Sequence, residues 1–499
     1  MAALMWISHS ERPLKANELC HPLAVEIGSP YLNTDNIPSI GTLLACSQGL
    51  VAVDKETSTV RLIHFTLQEY LRVHPHLFAT AHSTMAETCL SYLNSQEVKA
   101  LPTGPFPDLQ ETPFLKYSSL YWGIHAKKDL SDCAKLLALQ LFDSHDPHIS
   151  MRILLEAQDW HRYNLDLGRL SLFSGIHCAS FFGIVEIVAS LVEVEGCDIN
   201  QKDCVGNTPL VCAAWSGHEG VVKILLQQDH VSPDEPGRNG QTLLGCAAWN
   251  GHEGVVKILL EQGDVGLDRP DHRGETPLFK AARGGHEGVV KILLEQGNIS
   301  PDIPGRDGQT PLGCGAWNGH EGVVKILLEQ GDVGLDRPDH RGETPLFKAA
   351  RNGYEGAVKI LLERDDVDPD RRGRWGQTPL CAAAQKGQEE VVKILLERDD
   401  VDPDKPDPWR QTPLSFAAEA GHEGVVKILL EREDVNPDRP DNFGETALDY
   451  ATQNGYAGVI ALLQPKPVTP STAEDTSPSL LPSNTDDLCA ISAGTATTP

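Results

Sequence analysis

A 34-residue period runs from about residue 171 to 464 and leaves one kind of architecture open to that stretch. Thr-Pro-Leu begins at Thr208, Thr276, Thr310, Thr344, Thr378 and Thr412, with Thr242 and Thr446 opening the variants Thr-Leu-Leu and Thr-Ala-Leu; neighbouring copies stand 34 residues apart. A further step back reaches Ser174, whose surroundings fit the frame loosely, making nine copies with a degenerate first. A longer period is superimposed: Val265 to Arg283 recurs unchanged as Val333 to Arg351, 68 residues on. Blocks of two repeats have been duplicated.

Each copy reads as two short helices. Thr208 is placed as an N-cap that accepts a free backbone N–H, and Pro209 suits the first helical position, where no donor is needed. Leu210, Ala213 and Ala214 give a small apolar face, and Gly217 supplies a left-handed end. The second helix carries Val221, Val222, Ile224, Leu225 and Leu226, with Glu219 and Lys223 spaced to pair on its wet side. A Pro/Asp/Gly turn such as Asp268 to Gly274 follows. One copy cannot bury its apolar face, whereas a stack can.

Gly-x-Thr-Pro-Leu-x-x-Ala-Ala-x-x-Gly-His followed by Val-Val-Lys-Ile-Leu-Leu resembles the ankyrin repeat. The implied fold is mainly α: an ankyrin-repeat α-solenoid of about nine repeats over 171–464. Departures are local. Arg410 stands where other tips have Gly, and Lys280 and Lys348 occupy a small or apolar position, so they are expected to snorkel or to displace Phe279 and Phe347 inward.

The first hundred residues follow another pattern. Leu14, Leu19, Leu23 and Ile27 are spaced as one helix face, and Ile37 to Cys46 is a second helix candidate. Leu50 to Asp54 and Val60 to His64 read as a β-hairpin about a polar turn, and Thr66 to Val73 as a helix. That order is a winged-helix unit. With the run Ile-His-Phe-Thr-Leu-Gln-Glu-Tyr-Leu at 63–71, it resembles the winged helix that follows the NTPase core in fungal NACHT–ankyrin proteins of the STAND class. It is also similar to the winged helix of GPI-inositol-deacylase-like fungal proteins. The expected domains are a winged helix (1–105), a helical connector (106–170, including Phe114 to Trp122 and Ala134 to Phe142), the array (171–464) and a disordered Pro/Ser/Thr-rich tail (465–499).

Charge narrows the function. Forty-two Lys and Arg against 70 Asp and Glu leave a net −28, which repels phosphate backbones and anionic lipid, so no nucleic acid or membrane partner is expected. No stretch approaches the ~20 apolar residues of a membrane span, and Met1 to Ser10 lacks the form of a secretory signal. The 12 cysteines include no Cys-x-x-Cys pair. A cytoplasmic location follows as an expectation, with the nucleus also open.

Catalytic chemistry finds no support in the residues. There is no Gly-x-x-x-x-Gly-Lys-Ser/Thr phosphate loop and no Gly-x-Ser-x-Gly elbow, so no enzyme activity and no cofactor are expected. His218, His252, His286, His320 and His422 lie one repeat apart, a step of ~8–10 Å, too far to share one ion; each is expected to hydrogen-bond across its interhelical turn. Cys178, Cys212, Cys246 and Cys314 share one frame position and read as small core residues. Asp366, Asp368 and Asp370 hint at a calcium loop but lack its Gly and Glu, so a solvated acidic turn is the reading and no metal is expected. The winged-helix resemblance implies that His64 would contact a nucleotide phosphate in NTPase-bearing relatives; a partly buried structural histidine is the alternative.

What remains is a binding surface. In the ankyrin frame, residues after the first-helix Ala-Ala and at the turn tip face a concave groove. The helix row gives Phe181, Trp215, Trp249, Arg283, Trp317, Arg351, Gln385, Glu419 and Gln453; the tip row gives Arg273, Arg341, Trp375, Trp409 and Phe443. Large aromatics and arginines are what hot spots are made of. The chain is therefore expected to be a non-enzymatic protein-interaction scaffold, resembling the recognition half of a STAND sensor. The alternatives are one part of a nucleotide-operated switch and a DNA-binding regulator, the latter disfavoured by six Lys/Arg against nine Asp/Glu in residues 1–100.

Overall fold

A computed structural model describes residues 1–102, 112–143, 148–157, 173–263 and 265–464. The tail from 465, and 103–111, 144–147 and 158–172 of the expected connector and its flanks, lie outside the described residues. The chain opens with a helix that the sequence reading did not anticipate, α1 (Ala2–His9), whose Trp6 is buried. The expected helix over 14–27 is short: α2 (Ala16–Cys20) stops two residues before Pro22, which has no N–H to continue the helical ladder. Likewise α3 (Ile40–Cys46) begins after Pro38, with Ser39 capping Thr42 N–H. Strands β1 (Val51–Val53) and β2 (Val60–Leu62) form the hairpin in antiparallel register, Val51 opposite Leu62. Asp54 closes its turn by accepting from Glu56 and Thr57 N–H at 2.9 and 3.1 Å. Lys15 bridges to Thr59, so the segment before α2 flanks the wing, and α4 (Phe65–Val73) completes the winged helix.

Among the described residues five α-helices lie between α4 and the array: α5 (Ala81–Asn94), α6 (Gln96–Lys99), α7 (Leu115–Lys128), α8 (Asp132–Phe142) and α9 (Ile149–Ala157). Their core is aromatic. Trp6 of α1 meets Phe114 and Tyr117 edge-on, with centroids 5.4 and 5.8 Å apart, and Phe114 meets Tyr92 at 5.3 Å. Trp122 of α7 packs on Phe182 of α10 (Gly175–Phe182) at 5.2 Å, and a Cβ on Gly123 would strike the Phe182 ring. The connector thus closes the open end of the first repeat, whose second helix is α11 (Val185–Val192).

Nine helix pairs stack from α10 and α11 to α26 (Ala447–Asn454) and α27 (Ala457–Leu463). The threonine caps form as expected; Thr276 Oγ1, for example, accepts Phe279 N–H at 3.2 Å. Gly217, Gly285 and Gly353 end first helices at φ 75°, 76° and 79°. The histidines do not bridge their own turns. Each reaches the preceding repeat: His252 Nε2 is 2.9 Å from Trp215 O and His286 Nε2 2.9 Å from Trp249 O. Their rings occupy the space a side chain would fill at Gly217 and Gly251. Where Tyr354 replaces histidine and lacks a ring N–H, Asn352 Nδ2 takes Trp317 O instead, at 3.0 Å.

Three further expectations are corrected. Glu219 forms no ion pair with Lys223 among the described residues; its carboxylate lies over Gly254 at the start of the next repeat's second helix, where backbone N–H groups and the helix dipole favour an anion. In the 366–370 turn Asp366 and Asp368 are exposed, as a solvated acidic turn implies, and only the third aspartate departs from that reading. Asp370 is buried and accepts Asp402 N–H of the next repeat at 3.0 Å and Lys405 Nζ at 3.3 Å. Arg269, Arg337 and Arg439 reach back in the same way to Asp234, Asp302 and Asp404.

The third is Lys280 and Lys348, which neither snorkel nor displace a phenylalanine. Both are buried and form ion pairs with Asp271 and Asp339 at 2.9 and 2.8 Å, nine residues earlier in each repeat. Phe279 turns instead onto Gly305 of the next repeat, and Phe347 onto Gly373. The repeats therefore alternate: one offers Asp, Phe and Lys, the next offers Gly where the Phe ring must lie. That complementarity recurs with the 68-residue period.

Candidate partner-binding surface

The turns between repeats project as a row of tips beside the first helices. Neighbouring tips are joined through the backbone: Arg306 N–H donates to Arg273 O at 2.7 Å, His340 N–H to Asp307 O at 2.9 Å and Asn442 N–H to Trp409 O at 3.0 Å. Within a tip, Asp271 Oδ1 holds Arg273 and Glu275 N–H at 2.8 and 3.0 Å, and Asp407 does the same for Trp409 and Gln411. Side chains at the tips are therefore presented from a fixed backbone.

The tip and helix rows differ in burial. Trp375, Trp409 and Phe443 are exposed by 57, 44 and 75 %. Trp215, Trp249 and Trp317 are half-buried. Arg283 lies over the Trp249 ring at 5.0 Å and donates to Glu275 at 2.8 Å; Arg351 lies over Trp317 at 5.8 Å and donates to Glu343 at 2.9 Å. These stacked pairs form a ladder along the inner face. Burial raises the Glu275 pKa, with Arg283 opposing it.

An open cleft of about 490 Å³ sits where the rows meet, with Arg273, Arg283, Arg306 and Trp317 around Phe279 and Cys314. Sequence reasoning missed Arg306, because the first tip position was not weighed. Arg273, Arg306 and Arg341 are exposed and form no ion pair among the described residues. In a protein of net charge −28 these three guanidinium groups stand free of carboxylate partners, although Glu275 and exposed Asp307 line the same cleft.

One tip is strained. Trp375 sits at φ 58°, ψ 17°, left-handed for a bulky residue, with Arg374 stacked on its ring at 4.0 Å. The equivalent Asn239 shares the conformation at φ 60°, but asparagine tolerates it. Arg410 likewise has φ 67° where other tips carry glycine.

Among the described residues no catalytic arrangement forms around the cysteines of the first helices. Cys178, Cys212, Cys246 and Cys314 are buried, and burial pushes the Cys246 and Cys314 thiols up to about 12. His64 is exposed at the head of α4 rather than partly buried, beside exposed Ile63, Phe65, Tyr70 and Val73.

A stack of nine helix pairs with rigid projecting tips defines a repeat solenoid built around an extended surface. The chain belongs to the ankyrin repeat family, whose three-copy model matches residues 176–269, 264–337, 331–407 and 400–472. Residues 1–80 match the winged helix domain of GPI inositol-deacylase. No curated protein matches the chain. Among solved structures, the human ASB11 ankyrin repeat domain is 28% identical with a TM-score of 0.41, over 45% of this chain and 99% of that one. No described helix is long and apolar enough to cross a membrane.

Proposed function

We propose that the array is a protein-binding scaffold that grips an acidic, apolar-bearing segment of its partner along the inner edge. The carrying observation is the tip row, where exposed Trp375, Trp409 and Phe443 continue a line of unpaired arginines at 273, 306 and 341. The Trp249–Arg283 and Trp317–Arg351 stacks flank the line, and half-buried Trp215 extends it. Aromatic and arginine side chains on a rigid backbone lose little entropy on binding. The reading includes no catalysis, no cofactor and no nucleic-acid, membrane or metal ligand in the groove, and the cytoplasm or nucleus as its setting. It takes residues 1–105 and 106–170 as a base for the array at 171–464.

A photo-crosslinking amino acid placed at Trp375, at Arg306 and on the opposite face at Glu363 tests it. Crosslinks to one protein from the tip positions and none from the opposite face are expected, with Trp375→Ala plus Trp409→Ala abolishing them. Equal capture from Glu363, or capture that survives the double substitution, overturns the reading. A second reading rests on the exposed apolar face of α4 with His64 at its head: this face would dock a further unit, such as the NTPase of a STAND-class sensor.

A further inference from the structure

Outside the array, three side chains distant in sequence meet between the wing and the connector. Glu11 follows α1, His82 lies in the first turn of α5 and His125 near the end of α7. His82 Nδ1 and His125 Nδ1 face each other at 2.9 Å, Glu11 Oε1 is 3.9 Å from His125 Nδ1, and the three donor atoms all lie within 4.8 Å of one another. A tetrahedral ion with bonds of ~2.0–2.1 Å spaces its ligands about 3.3 Å apart, so shifts of a few tenths of an ångström bring these atoms into a coordination shell.

The surroundings are built for ligation. His125 is fully buried, and its other nitrogen, Nε2, is 2.9 Å from the Tyr117 hydroxyl. That hydroxyl accepts Glu11 N–H at 3.2 Å, and the Tyr117 ring is held by Trp6 and Phe114. A partner on the far nitrogen fixes a ligating imidazole's orientation and tautomer. Lys128 Nζ holds the same Glu11 Oε1 at 2.6 Å, so ligation requires this oxygen to exchange the ammonium for the ion or the carboxylate to turn its second oxygen toward it. Burial lowers the pKa of both imidazoles, that of His125 to about 3.

We propose that Glu11, His82 and His125 form a three-ligand site for a divalent transition-metal ion, zinc by its donor set, that ties the loop after α1 to α5 and α7. Two imidazoles and one carboxylate suit zinc and disfavour calcium or magnesium, which take oxygen ligands. A tetrahedral ion leaves its fourth position to water. The competing arrangement is a metal-free N–H···N hydrogen bond between the two rings.

The full chain, stripped with chelator and kept reduced, is titrated with zinc by calorimetry and with cobalt(II) by visible absorption. One zinc per chain with a Kd of micromolar or tighter is expected, together with a tetrahedral cobalt spectrum lacking the near-ultraviolet band of thiolate ligation. Glu11→Gln and His82→Ala are each expected to weaken binding at least tenfold and to remove any zinc-dependent rise in Tm. Glu11 is partly exposed, so its variant keeps the test open should His82→Ala misfold. Absence of stoichiometric binding, binding unchanged in Glu11→Gln, or a thiolate band overturns the proposal.

Discussion

At the scale of single residues, the grip proposed for Trp375 comes with a strained backbone. A bulky residue held at φ 58° costs about 1–2 kcal/mol, and Asn239 marks the same backbone position with a side chain that relieves it. Trp375→Asn is expected to raise the unfolding free energy by about 1 kcal/mol while weakening partner capture, checked by urea denaturation beside the crosslinking assay. The aspartates at the next tip residues make a second contrast. Asp271 Oδ2 holds Lys280, whereas Oδ2 of Asp203 and of Asp407 is buried without a partner, because Cys212 and Phe416 stand where the lysine would be. Asp271→Asn strands a buried ammonium and should cost ~3–5 kcal/mol; Asp407→Asn, which gives the orphan position a donor, should be neutral or stabilising. The pH dependence differs in sign. Burial opposes the charge of Asp271, but Lys280 and the loop N–H groups outweigh it and hold its pKa below the usual range, so its contribution is present at neutral pH and lost as pH falls below about 4. At Asp407 burial wins and raises the pKa, so ionisation there is unfavourable to folding as pH rises past the ordinary value. The Asp407→Asn gain should therefore shrink in acid, as denaturation at pH 7 and pH 4 would reveal.

At the scale of elements, helix pairs, caps and hairpin were readable, because each follows from local chemistry: a threonine cap, a glycine at φ near 75°, a polar turn. What escaped the reading lay between elements. The Phe347 ring and the bare Gly373 are 26 positions apart, and nothing in either helix alone says they touch. The same limit hid the cluster of Glu11, His82 and His125, drawn from the loop after α1 and from α5 and α7, and the reach of the histidine bonds into the preceding repeat. Where each helix-row and tip residue sits was legible because the repeat frame fixes it; the stacking of Arg283 on Trp249 was not, since it joins two repeats. Gly373→Ala puts a Cβ 2.8 Å from Phe347 Cδ2 and is expected to destabilise by about 1–3 kcal/mol. Adding Phe347→Leu should recover part of that loss in a double-mutant cycle; strict additivity would show that the two positions do not interlock.

At the scale of the molecule, stability in a stack is a sum over repeats and the interfaces between them, and an uncovered end frays first. Here the connector covers the first repeat through Trp122 and Phe182. Trp122→Ala should cost ~3–5 kcal/mol, the range for truncating a buried tryptophan, and the loss should be local. Hydrogen exchange is expected to accelerate in α10 and α11 while α22 (Pro379–Lys386) and α23 (Glu389–Leu396) keep their protection. Uniform acceleration would instead mean that cap and array unfold as one unit.

The duplicated stretch at 265–283 and 333–351 carries a consequence for how occupancy is counted. Each copy supplies the same arginines, glutamate and phenylalanine, at 273, 275, 279 and 283 and again at 341, 343, 347 and 351. Two repeats of ~8–10 Å place these cradles roughly 20 Å apart. A ligand with one matching motif has two registers to choose from and gains a statistical factor of about two. A ligand carrying that motif twice at the right spacing engages both, and its second contact proceeds at the millimolar effective concentration of a tethered reaction. On the proposed reading, duplication within the chain would act as a ruler for tandem motifs in its partner.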